Sequence, residues 1–486
     1  MPTSQNTQHY NLFINGAWAK ASGGETLDIH NPATGELVAV VANGAEQDVK
    51  TAVAAASKAF PAWSRKTAEE RADALYAFKA LIEKNADRLA HLITSEMGKP
   101  LKEAKTEVSF AAGLLRFAAE NTRRLEGDII PGSRPGEKIL IEKIPHGVIG
   151  GISAWNFPLA LFARKVGPAL AAGNTIVIKP HELAPLAALE ATRLAEEAGI
   201  FPAGVLNVVP GDGKGVGTPL VEHPDVRLIT MTGSTATGKK IMAAAADTLK
   251  EVRLELGGKA PFIVMDDADL DKAATAAVLA RFTNGGQVCT SNERTYVHAA
   301  VYDKFADLVS KKIAALKVGN PLDAATDMGP KVSEQELEKV HAMVEKAVSQ
   351  GAKLETGGER LKGGVYDKGF FYAPTLLTNV KEGMDIVQNE VFGPVMLLTK
   401  VPDFEDALRQ ANDCRYGLSA YVFTQDLKKI MRISTDLNFG EVYVNREGGE
   451  APQGFHHGYK DSGLGGEDGK YGLEAYVQTK TIYLNA

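Results

Sequence analysis

Val226-Arg-Leu-Ile-Thr-Met-Thr-Gly233-Ser234-Thr-Ala-Thr-Gly238 reads as a short apolar strand that ends in a glycine-serine turn and opens a helix. Stretches of the same kind recur at Val148 to Ile152, Thr175 to Ile178, Val205 to Val209 and Val252 to Leu256, with helical segments between them. Strands that alternate with helices form parallel βαβ units, because a parallel strand needs a crossover to return to the same end of its sheet. The pattern predicts a doubly wound α/β sheet covered on both faces. A second alternating series begins at Pro261-Phe-Ile-Val-Met265, passes through the helix-like Leu270 to Phe282 and continues to Tyr443. Two α/β domains are therefore expected in succession.

Outside these series the text differs. From Glu46 to Arg124 it is helical, with Val49, Val53, Ala54 and Phe60 at helical spacing. Lys138 to Ile144 and Ala475 to Leu484 read as extended ribbons with no helix beside them, and open strand edges invite another subunit. At roughly 100 to 200 residues per domain, the 486 residues suggest several units. No 20 to 50 residue repeat interrupts them.

Composition narrows the function. With 54 Lys and Arg against 60 Asp and Glu the net charge is -6, so there is no basic excess to bind a nucleic-acid backbone. Met1 to Tyr10 is polar and lacks the sections of a secretory signal, and no stretch of about 18 apolar residues marks a membrane helix. The chain reads as soluble and cytoplasmic. Its 2 cysteines, Cys289 and Cys414, make neither a disulfide framework nor a metal cluster.

Several segments could carry chemistry. Phe282-Thr-Asn-Gly-Gly-Gln-Val-Cys289-Thr290 displays a thiol after a Gly-Gly pair, between a predicted helix and a predicted strand. Such a thiol is either a buried packing residue or a nucleophile whose pKa neighbours must lower. Glu255, in Leu254-Glu-Leu-Gly-Gly-Lys259, closes the last strand of the first series, where catalytic groups of open parallel sheets gather; it could equally be a solvated strand end. Asn156, in Ala154-Trp-Asn-Phe-Pro158, offers an amide to a developing oxyanion or a cap to the next helix. Lys179 and Glu182 follow another strand and could bind ribose hydroxyls or only each other. The amides after Thr232 and the Ser234 hydroxyl could meet a phosphate at a helix start, although the usual dinucleotide glycine fingerprint is missing.

Taken together, in order and context from about Tyr10 to Leu484, these segments resemble the aldehyde dehydrogenase family. The matching motifs are Ala154 to Pro158, Lys179 to Glu182, Thr232 to Gly238, Leu254 to Lys259, Gly286 to Cys289 and Glu390-Val-Phe-Gly-Pro394. The resemblance implies an NAD-dependent oxidation in which Cys289 attacks an aldehyde and the Asn156 amide, with the Cys289 N–H, holds the oxyanion. A hydride then passes to the nicotinamide, and Glu255 activates the water that cleaves the thioester. It implies cofactor contacts from Trp155, Lys179, Glu182, Gly233, Ser234, Gly238, Leu256, Glu390 and Phe392, and no metal. The implied organisation is an NAD-binding domain (1–126 and 146–257), a catalytic domain (258–466) and a β-ribbon oligomerisation arm (127–145 and 467–486). A homotetramer or homodimer follows.

Within the family, Tyr443-Val-Asn-Arg-Glu-Gly-Gly-Glu450-Ala-Pro-Gln-Gly-Phe-His456 and Phe162-Ala-Arg164-Lys165 are similar to lactaldehyde and glycolaldehyde dehydrogenases. Arg164, Thr290, Glu450 and His456 are thus implied to bind substrate, although that subgroup usually has Asn where Thr290 stands. The alternative is a succinate-semialdehyde or sulfonated-aldehyde dehydrogenase in which Arg164 binds the remote anion. A coenzyme-A-acylating relative is disfavoured because Glu255 is present to activate water. Cys289, Glu255 and Asn156, all intact, argue against a catalytically idle member.

Overall fold

Parallel strands buried on both faces must be apolar along their whole length, and the first series satisfies this. The computed structural model describes residues 8–485, so most of the Met1 to Tyr10 stretch lies outside the described residues. Its first sheet contains β1 (Val148–Ile152), β2 (Thr175–Lys179), β3 (Leu206–Val208), β4 (Val226–Thr232) and β5 (Glu251–Glu255). All five run parallel in the order β5-β4-β1-β2-β3. The chain winds outward from β1 to β3, then returns to lay β4 and β5 on the other side. The reversal lies between β1 and β4, where open α/β sheets bind ligands beyond their strand ends.

The second sheet is built from β6 (Ala260–Val264), β7 (Asn292–His298), β8 (Thr375–Thr378), β9 (Val395–Val401), β10 (Ser419–Phe423) and β11 (Glu441–Val444). Its order is β8-β9-β7-β6-β10-β11, all parallel, with Lys353–Thr356 antiparallel at the β8 edge. Phe262 on β6 is fully buried and stacks on Tyr421 and Phe423, with ring centroids 5.5 and 5.1 Å away. Burying such a ring contributes about 1.5 to 3 kcal/mol. Gly463–Leu464 leaves the second unit and pairs antiparallel with β5 of the first sheet, tying the segment after β11 to both.

The helical stretch forms as expected, with helices Glu46–Ser64, Ala68–Lys84, Ala86–Met97 and Leu101–Asn121. Its first apolar stripe is slightly rotated: Val49, Ala52, Val53 and Ala56 are buried, whereas Ala54 faces solvent and Phe60 is half-buried. The ribbons need a larger correction. Glu137–Pro145 is paired along its length with Val477–Asn485 and, over Lys138 to Ile141, on its other side with Asp128–Pro131, so most of Lys138 to Ile144 lies inside the sheet rather than at an open edge. Open edges in this three-stranded sheet belong to its two outer strands, which expose Ile129 and Tyr483. Among the described residues no helix is long and apolar enough to cross a membrane.

Candidate active site

β1 and β4 deliver the first groups. Beyond β1, Trp155 is half-buried and meets Phe392 edge to face at 5.5 Å, and Asn156 is buried. Asn156 does not cap the helix that follows (Pro158–Ala171, here α1), whose first amides at Leu159 and Ala160 are taken by the Glu107 carboxylate. Its Nδ2 donates instead to the Gln287 carbonyl at 3.0 Å, which leaves one amide hydrogen free to donate. The Asn156 carbonyl accepts from Lys99 Nζ at 2.8 Å and Asn284 Nδ2 at 3.2 Å. Lys99 in turn pairs with Glu107 in the interior. The loop is thereby fixed by buried charge.

Cys289 stands half-buried on the turn between helix Leu270–Phe282 and β7. Asn284, Gly285 and Gly286 all have positive φ, which bends the chain sharply before the thiol. At Gly286 a Cβ would lie 2.3 Å from the Gly393 carbonyl, and at Gly258 it would lie 2.2 Å from the Cys289 carbonyl. Glycine is required at both positions because three loops approach backbone to backbone. The Gly258 N–H also donates to Glu390 Oε1 at 2.8 Å. The end of β5, the thiol turn and the Glu390 loop are thus one packed unit.

Glu255 is 2% exposed, and neither carboxyl oxygen has a hydrogen-bond partner among the described residues. Burial pushes its pKa up to about 8, with the His456 imidazolium pulling the other way. It is therefore no solvated strand end. Burial likewise pushes the Cys289 thiol up, and His456 opposes that too.

The remaining sequence candidates separate into two groups. Arg164, Glu450 and His456 converge: Arg164 Nη2 lies 2.5 Å from Glu450 Oε2 and 2.7 Å from Asp468 Oδ2. His456 lies 3.8 Å from Glu450, 3.2 Å from Glu441 and 3.5 Å from Glu255. All are withdrawn from solvent, unlike ordinary surface charges. Donor atoms of Glu441, Glu450 and His456 lie within 4.8 Å of one another, the carboxylates ringing the imidazole. Thr290 stands apart: its carbonyl, not its hydroxyl, is engaged, by Ser419 Oγ and Tyr421 OH.

The dinucleotide candidates surround the switch point. Lys179, buried at the end of β2, holds Glu182 at 2.9 Å and keeps that carboxyl below its ordinary pKa against the cost of burial. Ser234, exposed after β4, caps helix Thr235–Ala245 by accepting from the Thr237 N–H. Gly233 donates its N–H to the Glu255 carbonyl. Gly238 is buried, and a Cβ there would lie 2.6 Å from Leu256, so its role is to let helix and strand pack. Phe392 has positive φ, and its N–H and that of Val391 donate to the buried Glu293 carboxylate. An anion-ready helix start, a carboxylate held after β2 and an aromatic pair at one sheet reversal fit a nicotinamide dinucleotide.

Sequence reasoning missed Glu441, Asp468, Glu293 and the Lys99–Glu107 pair. Only Glu293 left a signal, because Asn292-Glu-Arg294 puts charge inside a strand buried through Val297.

Residues 18–482 match the aldehyde dehydrogenase family, to which this chain belongs, and it is an NAD(P)-dependent aldehyde dehydrogenase. A 3,6-anhydro-alpha-L-galactose dehydrogenase of Vibrio sp. (strain EJY3) is 47% identical, covering 98% of this chain and 99% of that one. Lactaldehyde dehydrogenase of Escherichia coli (strain K12) is 44% identical over 98% of each. A mitochondrial succinate-semialdehyde dehydrogenase of Oryza sativa subsp. japonica is 45% identical over 96% of this chain and 88% of its own. The solved structure of a 3,6-anhydro-L-galactose dehydrogenase in complex with NAP superposes with a TM-score of 0.97 at 48% identity, covering 98% of this chain and all of that one.

Proposed function

We propose that the chain oxidises a short 2-hydroxyaldehyde, such as lactaldehyde or glycolaldehyde, to its carboxylic acid with NAD, through a thioester on Cys289. The observation that carries this reading is the convergence of Glu255, His456, Glu450 and Arg164 in one cluster withdrawn from solvent beyond β5, with the half-buried Cys289 on the turn whose carbonyl packs against Gly258 just after that strand. The Cys289 thiol loses its proton to water and the sulfur adds to the aldehyde carbon, while the free hydrogen of the Asn156 amide, with the Cys289 N–H, donates to the oxygen that becomes negative. NAD, when bound, accepts the hydride; Lys179, Glu182, Ser234, Trp155, Glu390 and Phe392 would hold it. Glu255 then takes a proton from water, and the hydroxide cleaves the thioester.

A hydroxyl beside the carbonyl can donate to Glu450 and accept from His456, whereas a plain alkyl aldehyde leaves both unpaired. An unmade buried hydrogen bond costs about 1 to 3 kcal/mol. Lactaldehyde and glycolaldehyde are therefore expected to exceed propanal in kcat/KM by roughly tenfold to a hundredfold. The aldehyde form of 3,6-anhydrogalactose is itself a 2-hydroxyaldehyde, which supports the class. Arg164 is already engaged by Glu450 and Asp468, which weighs against a remote carboxylate or sulfonate. A steady-state panel with succinate semialdehyde included decides: highest efficiency there would hand Arg164 to the anion. Run with both cofactors, the same panel should favour NAD, because the ionised Glu182 would repel a 2′-phosphate; higher efficiency with NADP would contradict that.

The reading includes a cofactor domain (1–126 and 146–257), a catalytic domain (258–466) and the three-stranded arm as an oligomerisation surface. The outer strands present unpaired backbone groups beside exposed Ile129 and Tyr483. Light scattering at micromolar concentration should return a dimer or tetramer mass; a monomer would remove this part.

A further inference from the structure

Helix Leu101–Asn121 carries Glu103 and Glu107 one turn apart on one face, and Lys99 stands just before its start. Each of the three reaches a different part of the site. Lys99 is 1% exposed; its Nζ donates to the Asn156 carbonyl at 2.8 Å, lies 3.6 Å from the centre of the Phe157 ring and pairs with Glu107. Glu107 accepts from the Leu159 and Ala160 N–H groups at 2.9 and 3.2 Å, which fixes the first turn of α1 directly after that loop. Glu103 accepts from the N–H of Asn284 at 2.8 Å, the positive-φ residue that opens the thiol turn. The Asn284 side chain donates to the Asn156 carbonyl at 3.2 Å, and Asn156 Nδ2 donates to the Gln287 carbonyl at 3.0 Å. A helix start needs only a neutral side-chain oxygen for its amides, so capping does not account for an ammonium buried beside it. The ammonium spends its other hydrogen bond on the backbone of Asn156.

We propose that Lys99, with Glu103 and Glu107, positions the oxyanion-binding amide: this helix holds the Asn156 loop and the thiol turn at a set separation, so that the free Nδ2 hydrogen meets the oxygen of the adduct on Cys289. The three are positioning residues and act through Asn156. The proposal rests on Asn156 being the oxyanion donor. A negative oxygen forms twice, when sulfur attacks and when water cleaves the thioester, so a displaced amide slows both steps together. Loss of Glu255 as a base slows only the second.

The test is a double-mutant cycle between Lys99→Met with Glu107→Gln and Asn156→Ala, read by the rate of the NADH burst and by kcat. Exchanging both members of the ion pair leaves no lone charge in the interior, and glutamine keeps an oxygen for the α1 amides. In the wild-type background the exchange should slow burst and kcat alike by about thirtyfold, within the roughly 10²-fold that a 1 Å misplacement costs, with the Kd for NAD unchanged. Asn156→Ala alone should be about 10² to 10³-fold slower. On top of it the exchange should cost less than about twofold, because the amide it would displace is gone. Equal slowing in both backgrounds overturns the proposal, and so does no slowing in either. Should the exchanged protein fail to fold, Asn284→Gly takes its place in the cycle: it withdraws the other side-chain donor to the same carbonyl, and glycine tolerates the positive φ. The same contrast is then expected at about threefold to tenfold. Asn156→Ala separates the two levels: wild-type turnover there removes the oxyanion reading and the positioning with it, whereas slow turnover with additive effects removes only the positioning.

Discussion

Cys289→Ala is expected to abolish aldehyde oxidation, by about 10⁴-fold or more, while the protein binds NAD as tightly as before. The size follows from the absence of a substitute. Cys414, the other thiol, is buried in the connection before β10, where its sulfur accepts from the Tyr416 N–H. The groups proposed to hold the dinucleotide lie on other loops, and alanine keeps the backbone N–H proposed to meet the oxyanion. NADH absorbance measures the first half and calorimetric titration with NAD the second; wild-type turnover would sink the mechanism.

Glu255→Gln should separate the two halves of the reaction. Thioester formation needs no proton acceptor at that position, whereas hydrolysis does, so a rapid burst of NADH near one per site should precede a steady state about 10² to 10⁴-fold slower. Loss of the burst itself would assign Glu255 to the attack. Burial holds the wild-type carboxyl at about 8, and only its ionised form can take a proton from water. Where hydrolysis limits turnover, the wild-type rate should rise with pH, about tenfold per unit, and level off above about 8. That rise should be missing from the glutamine variant, whose side chain does not titrate.

Cys289, Glu255 and Asn156 stand out as candidates because each sits beside glycines that let backbones touch or a proline that starts a helix, and because the motifs around them occur together in one order. The parallel sheets were legible because burial on both faces forces unbroken apolar runs. What stayed hidden was pairing across sequence distance. Asp468 meets Arg164 over 304 positions, and nothing around either residue announces the other. Glu441 begins a short, otherwise apolar strand and acquires its meaning only from the ring of His456. At Gly238 the structure adds what the text does not say: a Cβ there would lie 2.6 Å from Leu256, so the glycine lets helix and strand pack. The ribbons read correctly as extended, yet period-two text does not say which strand will lie beside which.

The run from β11 to the end of Val477–Asn485 carries Glu441, Glu450, His456 and Asp468, the strand that crosses to β5, and then the long outer strand of the arm. If these residues bind substrate and the arm joins subunits, as proposed, both properties reside on one continuous cassette. A chimera that exchanges this cassette with a relative's would change both together, whereas grafting the recognition residues alone leaves the assembly surface in place.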